Sequence, residues 1–269
     1  IYLPFETLTY QGKPALEAAD ISYIQSLSIL ELLTQRHDVN SKAERKALLA
    51  MGDAIYGKNK SRPENDEDGL QKLVDTVSPK RGTTANEASL HRINWPNLPG
   101  TGKEVDAVAD LFPAGTRQVL KKEQASEKVL RNLNQDGSLA AYRILLFATH
   151  GIYVPKVPEL SAIVLTQVGN QAPENGYITV SKWMAYNLRS DLVYLSACQT
   201  GLGKEMPGDG LVGIPYALCI AGNQDTVMTL WETEDEQARA FSVAFFKKLQ
   251  QGMGPVQALS NTKREFLHG

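Results

Sequence analysis

The sequence predicts an α/β protein built on a mostly parallel sheet with helices on both faces. Three observations carry that expectation. Short apolar runs, KALLAM at 46–51, ILLFA at 144–148, AIVLT at 162–166 and LVYL at 192–195, have the length and composition of strands buried on both faces. Helical periodicities alternate with these runs along most of the chain, which is the order of strand–crossover–strand units. Two runs also open directly onto reactive side chains. YRILLFATHG (142–151) delivers His150-Gly151, and LVYLSACQTGLG (192–203) delivers Cys198 into a loop carrying Gly201 and Gly203. In open α/β sheets ligands bind beyond the carboxyl ends of the strands, so a thiol placed there faces a crevice.

Each element follows from local chemistry. Ile1 to Leu8 reads as an edge strand limited by Pro4, Gln11 to Pro14 as a turn, and Ile21, Tyr23 and Ile24 as a further short strand. Ser26 or Ser28 is placed to cap a helix over Ile29, Leu30, Leu32 and Leu33. The segment 58–92 changes character: Lys58, Lys60, Arg62, Glu64, Asp66, Glu67 and Asp68 crowd its first part, and it reads as a mobile insertion with a helical turn or two over Leu70 to Val77. Thr101 and Glu104 match a capping box ahead of Val105, Val108, Ala109 and Phe112 on one helical face. Arg117 to Leu120 is a strand and Ser126 to Leu133 a helix. Thr179 caps a helix through Trp183, Met184 and Leu188, and 210–221 is a buried helix bent near Pro215. Thr226 to Trp231 is the next strand. Ala238, Phe241, Phe245 and Leu249 recur at helical spacing over 234–251, and Gly252 closes that helix. The last helix starts at Gly254-Pro255 and turns Val256, Leu259 and Phe266 inward.

Composition excludes several classes. The chain has 269 residues, 42% hydrophobic and 22% charged, which suits a globular fold read as one domain over 1–269. A formal net charge of −2 gives no bulk attraction for nucleic acid or an anionic membrane. No apolar run is long enough to span a bilayer, and no signal peptide is seen. Two cysteines are no disulfide framework, which points to a reducing, cytoplasmic setting, and no Cys/His spacing suggests zinc. No cofactor is implied. The apolar opening IYLPFETL, beginning at Ile1, reads as a fragment or processed chain lacking an upstream region.

The candidate chemistry is thiol acyl transfer. A cysteine attacks as thiolate, and a neighbouring imidazole is the usual means of forming one. His150 is the candidate base for Cys198, 48 positions further on. The backbone N–H groups of Gly151 and Cys198 are candidate donors to a developing oxyanion. Gly151 also leaves room for a substrate carbonyl. Asp209, in the loop after Cys198, reads either as the wall of a pocket for a basic side chain or as the cap of the helix beginning near Gly210. Asp225, Glu232, Glu234 and Asp235 are further acidic candidates near strand ends, and Trp231 either walls the pocket or packs. Cys219 reads as a small core hydrophobe, and His37, His91 and His268 as surface residues. The same dyad serves a peptidase, an amidase or a ligase, and a non-catalytic interaction module would keep the same scaffold.

SACQTG, with a histidine 48 positions upstream, shares the logic of the caspase signature Q-A-C-[RQG]-G. The sequence more closely resembles the CHAT domain family, relatives of caspases and separases. FATHG (147–151), LSACQTGLG (195–203) and GDGLVGIPYAL (208–218) carry the resemblance, with LPFETL (3–8), LPGTGKEVDAV (98–108) and TLWETEDE (229–236) as further landmarks. It covers nearly the whole chain. It implies a caspase-like three-layer sandwich and a cysteine peptidase whose dyad is His150 and Cys198. It further implies a protein or peptide substrate held by a pocket beside the nucleophile, and a helical-repeat (TPR) region upstream or a regulatory protein as partner. Asp209 stands where the family more usually has Glu.

Overall fold

The computed structural model describes residues 4–24, 26–40, 44–57, 87, 90, 93–154, 157–197, 209–229 and 234–268, with 37–40 and 209–212 described by backbone alone. A small hairpin, β1 (Thr9–Tyr10) and β2 (Lys13–Pro14), leads into helices α1 (Ala15–Ala18) and α2 (Leu27–Asn40). The central sheet comprises β3 (Lys46–Gly52), β4 (Arg117–Lys121), β5 (Tyr142–Ala148), β9 (Leu192–Ser196) and β10 (Asp225–Met228). Its order is β10-β9-β5-β3-β4, and every neighbouring pair is parallel. A second, antiparallel sheet of β6 (His150–Ile152), β7 (Ala162–Val164) and β8 (Tyr177–Thr179) branches off after β5. The remaining helices are α3 (Pro99–Ala109), α4 (Glu127–Gln135), α5 (Val180–Trp183), α6 (Asp209–Ile220), α7 (Asp235–Gln250) and α8 (Pro255–His268).

The strand period of two sorts the central sheet into two cores. Leu48, Ala50, Leu146, Ala148, Leu192 and Tyr194 share one core with Val105, Val108, Phe245, Phe246 and Ala258 of α3, α7 and α8. Leu49, Met51, Leu145, Phe147, Val193 and Leu195 share the other with Leu130, Trp183, Ala217 and Leu218 of α4, α5 and α6. Helices thus cover both faces, giving the three layers expected of a caspase-like α/β sandwich.

Several expectations need correction. Phe5–Thr7 is a 3₁₀ turn rather than a strand, and 21–24 is irregular: with Pro4 and Pro14 nearby, the only pairing formed among the described residues there is the short β1–β2 ladder. Ser26 does cap α2, accepting from the Ile29 N–H at 3.2 Å. Thr101 and Glu104 form no capping box. The helix begins three residues earlier than such a cap would set it, at Pro99, whose missing N–H suits a first helical position. Thr101 Oγ1 instead accepts from the Asp53 N–H and donates to the Leu98 carbonyl. The run at 162–166 joins the antiparallel sheet, and the helix after Thr179 stops at Trp183. In α8 the buried side chains are Ala258, Ser260 and Thr262, while Val256 and Phe266 are exposed. The insertion 58–92 lies mostly outside the described residues, but its end is built into the fold. Leu90 is fully buried, and Glu87 pairs with Lys182 and accepts from Asn175 and Thr179.

Candidate active site

The site is set by the β5–β9 pair. Ala148 lies opposite Ser196, and the Thr149 N–H donates to the Ser196 carbonyl at 3.2 Å, so the pairing runs one residue past β5. The chain then diverges. β6 begins at His150 and pairs with β7, His150 opposite Val164 and Gly151 opposite Ile163. Ala197 continues from β9 alongside Gly151: a Cβ placed on Gly151 would lie 3.2 Å from the Ala197 carbonyl oxygen and 3.4 Å from its Cβ. The glycine therefore permits a close approach between chain segments. Cys198, the next residue, lies outside the described residues, as do Trp231 and Glu232.

His150 is fully buried. Its ring lies between Trp95, with centroids 4.8 Å apart, and Tyr56, at 4.7 Å in an edge-on arrangement. Nε2 is 2.7 Å from the Pro96 carbonyl oxygen. A carbonyl only accepts, so Nε2 must carry the hydrogen and the neutral ring is basic at Nδ1. The Tyr56 hydroxyl holds the backbone in place: it accepts from the His150 N–H at 3.2 Å and donates to the Val164 carbonyl at 2.9 Å. Burial pushes the Tyr56 hydroxyl far above the ordinary tyrosine range, so it remains a donor. Trp95 is fixed in turn, its indole N–H donating to the Tyr177 hydroxyl at 2.9 Å, and that hydroxyl donates to the Leu90 carbonyl at 2.8 Å. Burial raises the Tyr177 hydroxyl to about 12.

Behind the end of β9 sits a second polar group. Glu104 of α3 is buried at 2% exposure and accepts from Ser196 Oγ at 3.0 Å, with Ser242 Oγ at 2.5 Å from its other oxygen. Burial is the main cause of a raised carboxyl pKa there, and Asp235 adds to it.

A small apolar crevice lies alongside, walled by Gly151, Tyr153, Ile163, Leu195, Ile214 and Met228. No acidic side chain lines it among the described residues. Asp225, expected beside it, is at the opposite, amino end of the strands. It opens β10 and pairs with Leu192, whereas Met228, at the strand's far end, reaches the crevice. Asp225 stands at the amino end whether the strand begins at 225 or 226, and only the carboxyl end faces the crevice. Glu234 is exposed as the residue before α7. Asp235 packs its carboxylate against Gly100, where any Cβ would meet it at 2.1 Å. Asp209 is the first residue of α6, a position where an acid suits the helix terminus. Cys219 is buried within α6, as expected.

Sequence reasoning missed Tyr56, Trp95 and Pro96 as partners of His150. A usable signal was present, because an aromatic residue and a proline stand together in NWPNLPG just before α3. Among the described residues no cluster of His, Cys, Asp or Glu is disposed to hold a metal ion, and no helix is long and apolar enough to cross a membrane.

The fold is thus a parallel-sheet sandwich in which β5 leads into His150 and β9 ends two residues before Cys198 in the sequence. The model of the CHAT domain matches residues 1–269, and the chain belongs to that family, which is linked to caspase-like peptidases. No curated protein matches the chain.

Proposed function

We propose that this chain is a cysteine endopeptidase acting on a protein substrate through His150 and Cys198. The supporting observation is the β5–β9 pairing, which sets Thr149 to Gly151 against Ser196 and Ala197, the residue bonded to Cys198. Cys198 follows Ala197 directly in the chain, which supports pairing it with His150. His150 Nδ1, the basic nitrogen of the tautomer that Pro96 selects, takes the thiol proton. The thiolate then attacks the scissile carbonyl, and the imidazolium returns its proton to the leaving amine as the acyl-enzyme forms. Water attacks that thioester with His150 again as base and regenerates the thiol. The N–H groups of Gly151 and Cys198 are the proposed oxyanion donors. The activating agent is an upstream helical-repeat region or a bound protein, and the setting is the cytoplasm.

The test is direct. The chain is incubated with a proteome-derived peptide library, alone and with candidate partners, and new termini are identified by mass spectrometry. Cleavage by wild type that vanishes in Cys198→Ala, with circular dichroism unchanged, supports the reading. Cleavage that persists in Cys198→Ala removes Cys198 from the mechanism.

A further inference from the structure

We infer that Glu104 is a positioning residue for the proposed thiol site: its carboxyl group ties the carboxyl end of β9 to helix α7, two residues before Cys198. The inference rests on the peptidase reading and assigns Glu104 no contact with substrate.

The geometry is a three-element junction. Glu104 projects from α3, Ser196 is the last residue of β9, and Ser242 stands in the middle of α7. One carboxyl oxygen accepts from Ser196 Oγ, the other lies against Ser242 Oγ, and Ser242 Oγ also reaches the Tyr194 hydroxyl at 3.2 Å and the Ala238 carbonyl at 2.8 Å. Tyr194 and Ser196 are alternate residues of β9, so the junction fixes one face of that strand at two points. A capping role would place Glu104 at the helix start. Its burial and its two partners from distant segments show a different task.

The protonation state matters to this bridge. Ser242 has one hydroxyl hydrogen for several oxygen neighbours. When that hydrogen serves the Ala238 carbonyl, the 2.5 Å contact to Glu104 needs a proton from the carboxyl group. No cation pairs with Glu104 among the described residues, and its charged neighbour is the acidic Asp235. From the other packed elements, Asp53 lies against Gly102 and Lys121 of β4 is engaged by Asp106. Lys103 and Asp106 are on the exposed side of α3. The neutral acid donates to Ser242 and accepts from Ser196. The carboxylate loses the donation and gains the Asp235 repulsion.

The experiment follows alkylation of Cys198 by iodoacetamide, resolved from buried Cys219 by peptide mass spectrometry, in the full chain between about pH 5 and 9. Glu104→Gln keeps a neutral group able both to donate and to accept. It should label within about twofold of wild type at the acid end, and the wild-type rate should fall relative to it by about threefold or more as pH rises. Glu104→Ala, if its circular dichroism is native, should label about tenfold more slowly throughout. If Glu104→Ala does not fold, Ser242→Ala should lose about threefold or more at the acid end. Glu104→Ala at the wild-type rate, or a flat ratio of wild type to Glu104→Gln, overturns the inference. A wild-type Cys198 that reacts as an ordinary thiol instead overturns the peptidase reading itself.

Discussion

The imidazole Nε2 of His150 lies 2.7 Å from the carbonyl oxygen of Pro96. This contact decides which ring nitrogen can accept a proton, and it belongs to the backbone, so no side-chain deletion removes it. Pro96→Ala retains the acceptor and should leave Cys198 alkylation within about threefold of wild type. His150→Ala removes the base and should lower that rate about a hundredfold near neutral pH. Equal losses in the two variants would mean that Pro96 acts through its ring and that the carbonyl contact is incidental.

The Tyr56 hydroxyl joins three segments, accepting from His150 N–H and donating to the Val164 carbonyl. Tyr56→Phe keeps the ring beside the imidazole but strands two buried backbone groups. The expected loss is about 1–3 kcal/mol, read as a lower urea midpoint at unchanged slope. Trp95→Ala also deletes a large buried side chain and should cost about 3–5 kcal/mol. A Tyr56→Phe midpoint equal to wild type would show that the hydroxyl bridge contributes nothing net.

Gly151 faces Ala197 with no room to spare. Gly151→Ala sets its Cβ 3.2 Å from the Ala197 backbone oxygen, so either β6 or the segment that follows β9 must move. About 1–3 kcal/mol of destabilisation is expected, with slower Cys198 alkylation, since the shift falls one residue before the thiol. Stability lost while the labelling rate holds would place the movement in β6 alone.

The central sheet was legible because its strands are apolar on both faces, as parallel strands under two helical layers are. The FATHG and SACQTG segments were legible because a reactive residue directly follows each such run. The antiparallel β6–β8 branch was not: AIVLT has the same apolar content as the parallel strands, and pairing direction leaves no mark on so short a run. Asp225 was misplaced because closeness to a strand end was read without its direction: it opens β10, while the crevice lies at the carboxyl end. Glu104 was misread for a related reason. The spacing from Thr101 fits a cap, but the helix starts at Pro99, so Thr101 bonds back to the Leu98 carbonyl while Glu104 turns toward α7.

Glu104 also makes stability depend on pH, with a definite sign. Burial and Asp235 raise its carboxyl above the ordinary value of 4.5 in the fold, so the native state holds this proton more tightly than the unfolded chain. The associated stabilisation is complete below about pH 4.5 and is lost as pH climbs through the raised native value. Other carboxylates act oppositely. At Glu6 a burial penalty is outweighed by hydrogen bonds from Lys263 and Tyr23, so its pKa is lowered and its contribution is lost as pH falls. The wild-type curve alone therefore mixes the two, and the informative quantity is the difference in unfolding free energy between wild type and Glu104→Gln. The amide of that variant cannot ionise, so the difference should move against wild type as pH is raised from about 5 to 9. Urea titrations of both proteins across that range check it. A difference that moves in favour of wild type with rising pH would mean that Glu104 is ionised in the fold, and a cation outside its described surroundings would then have to balance it.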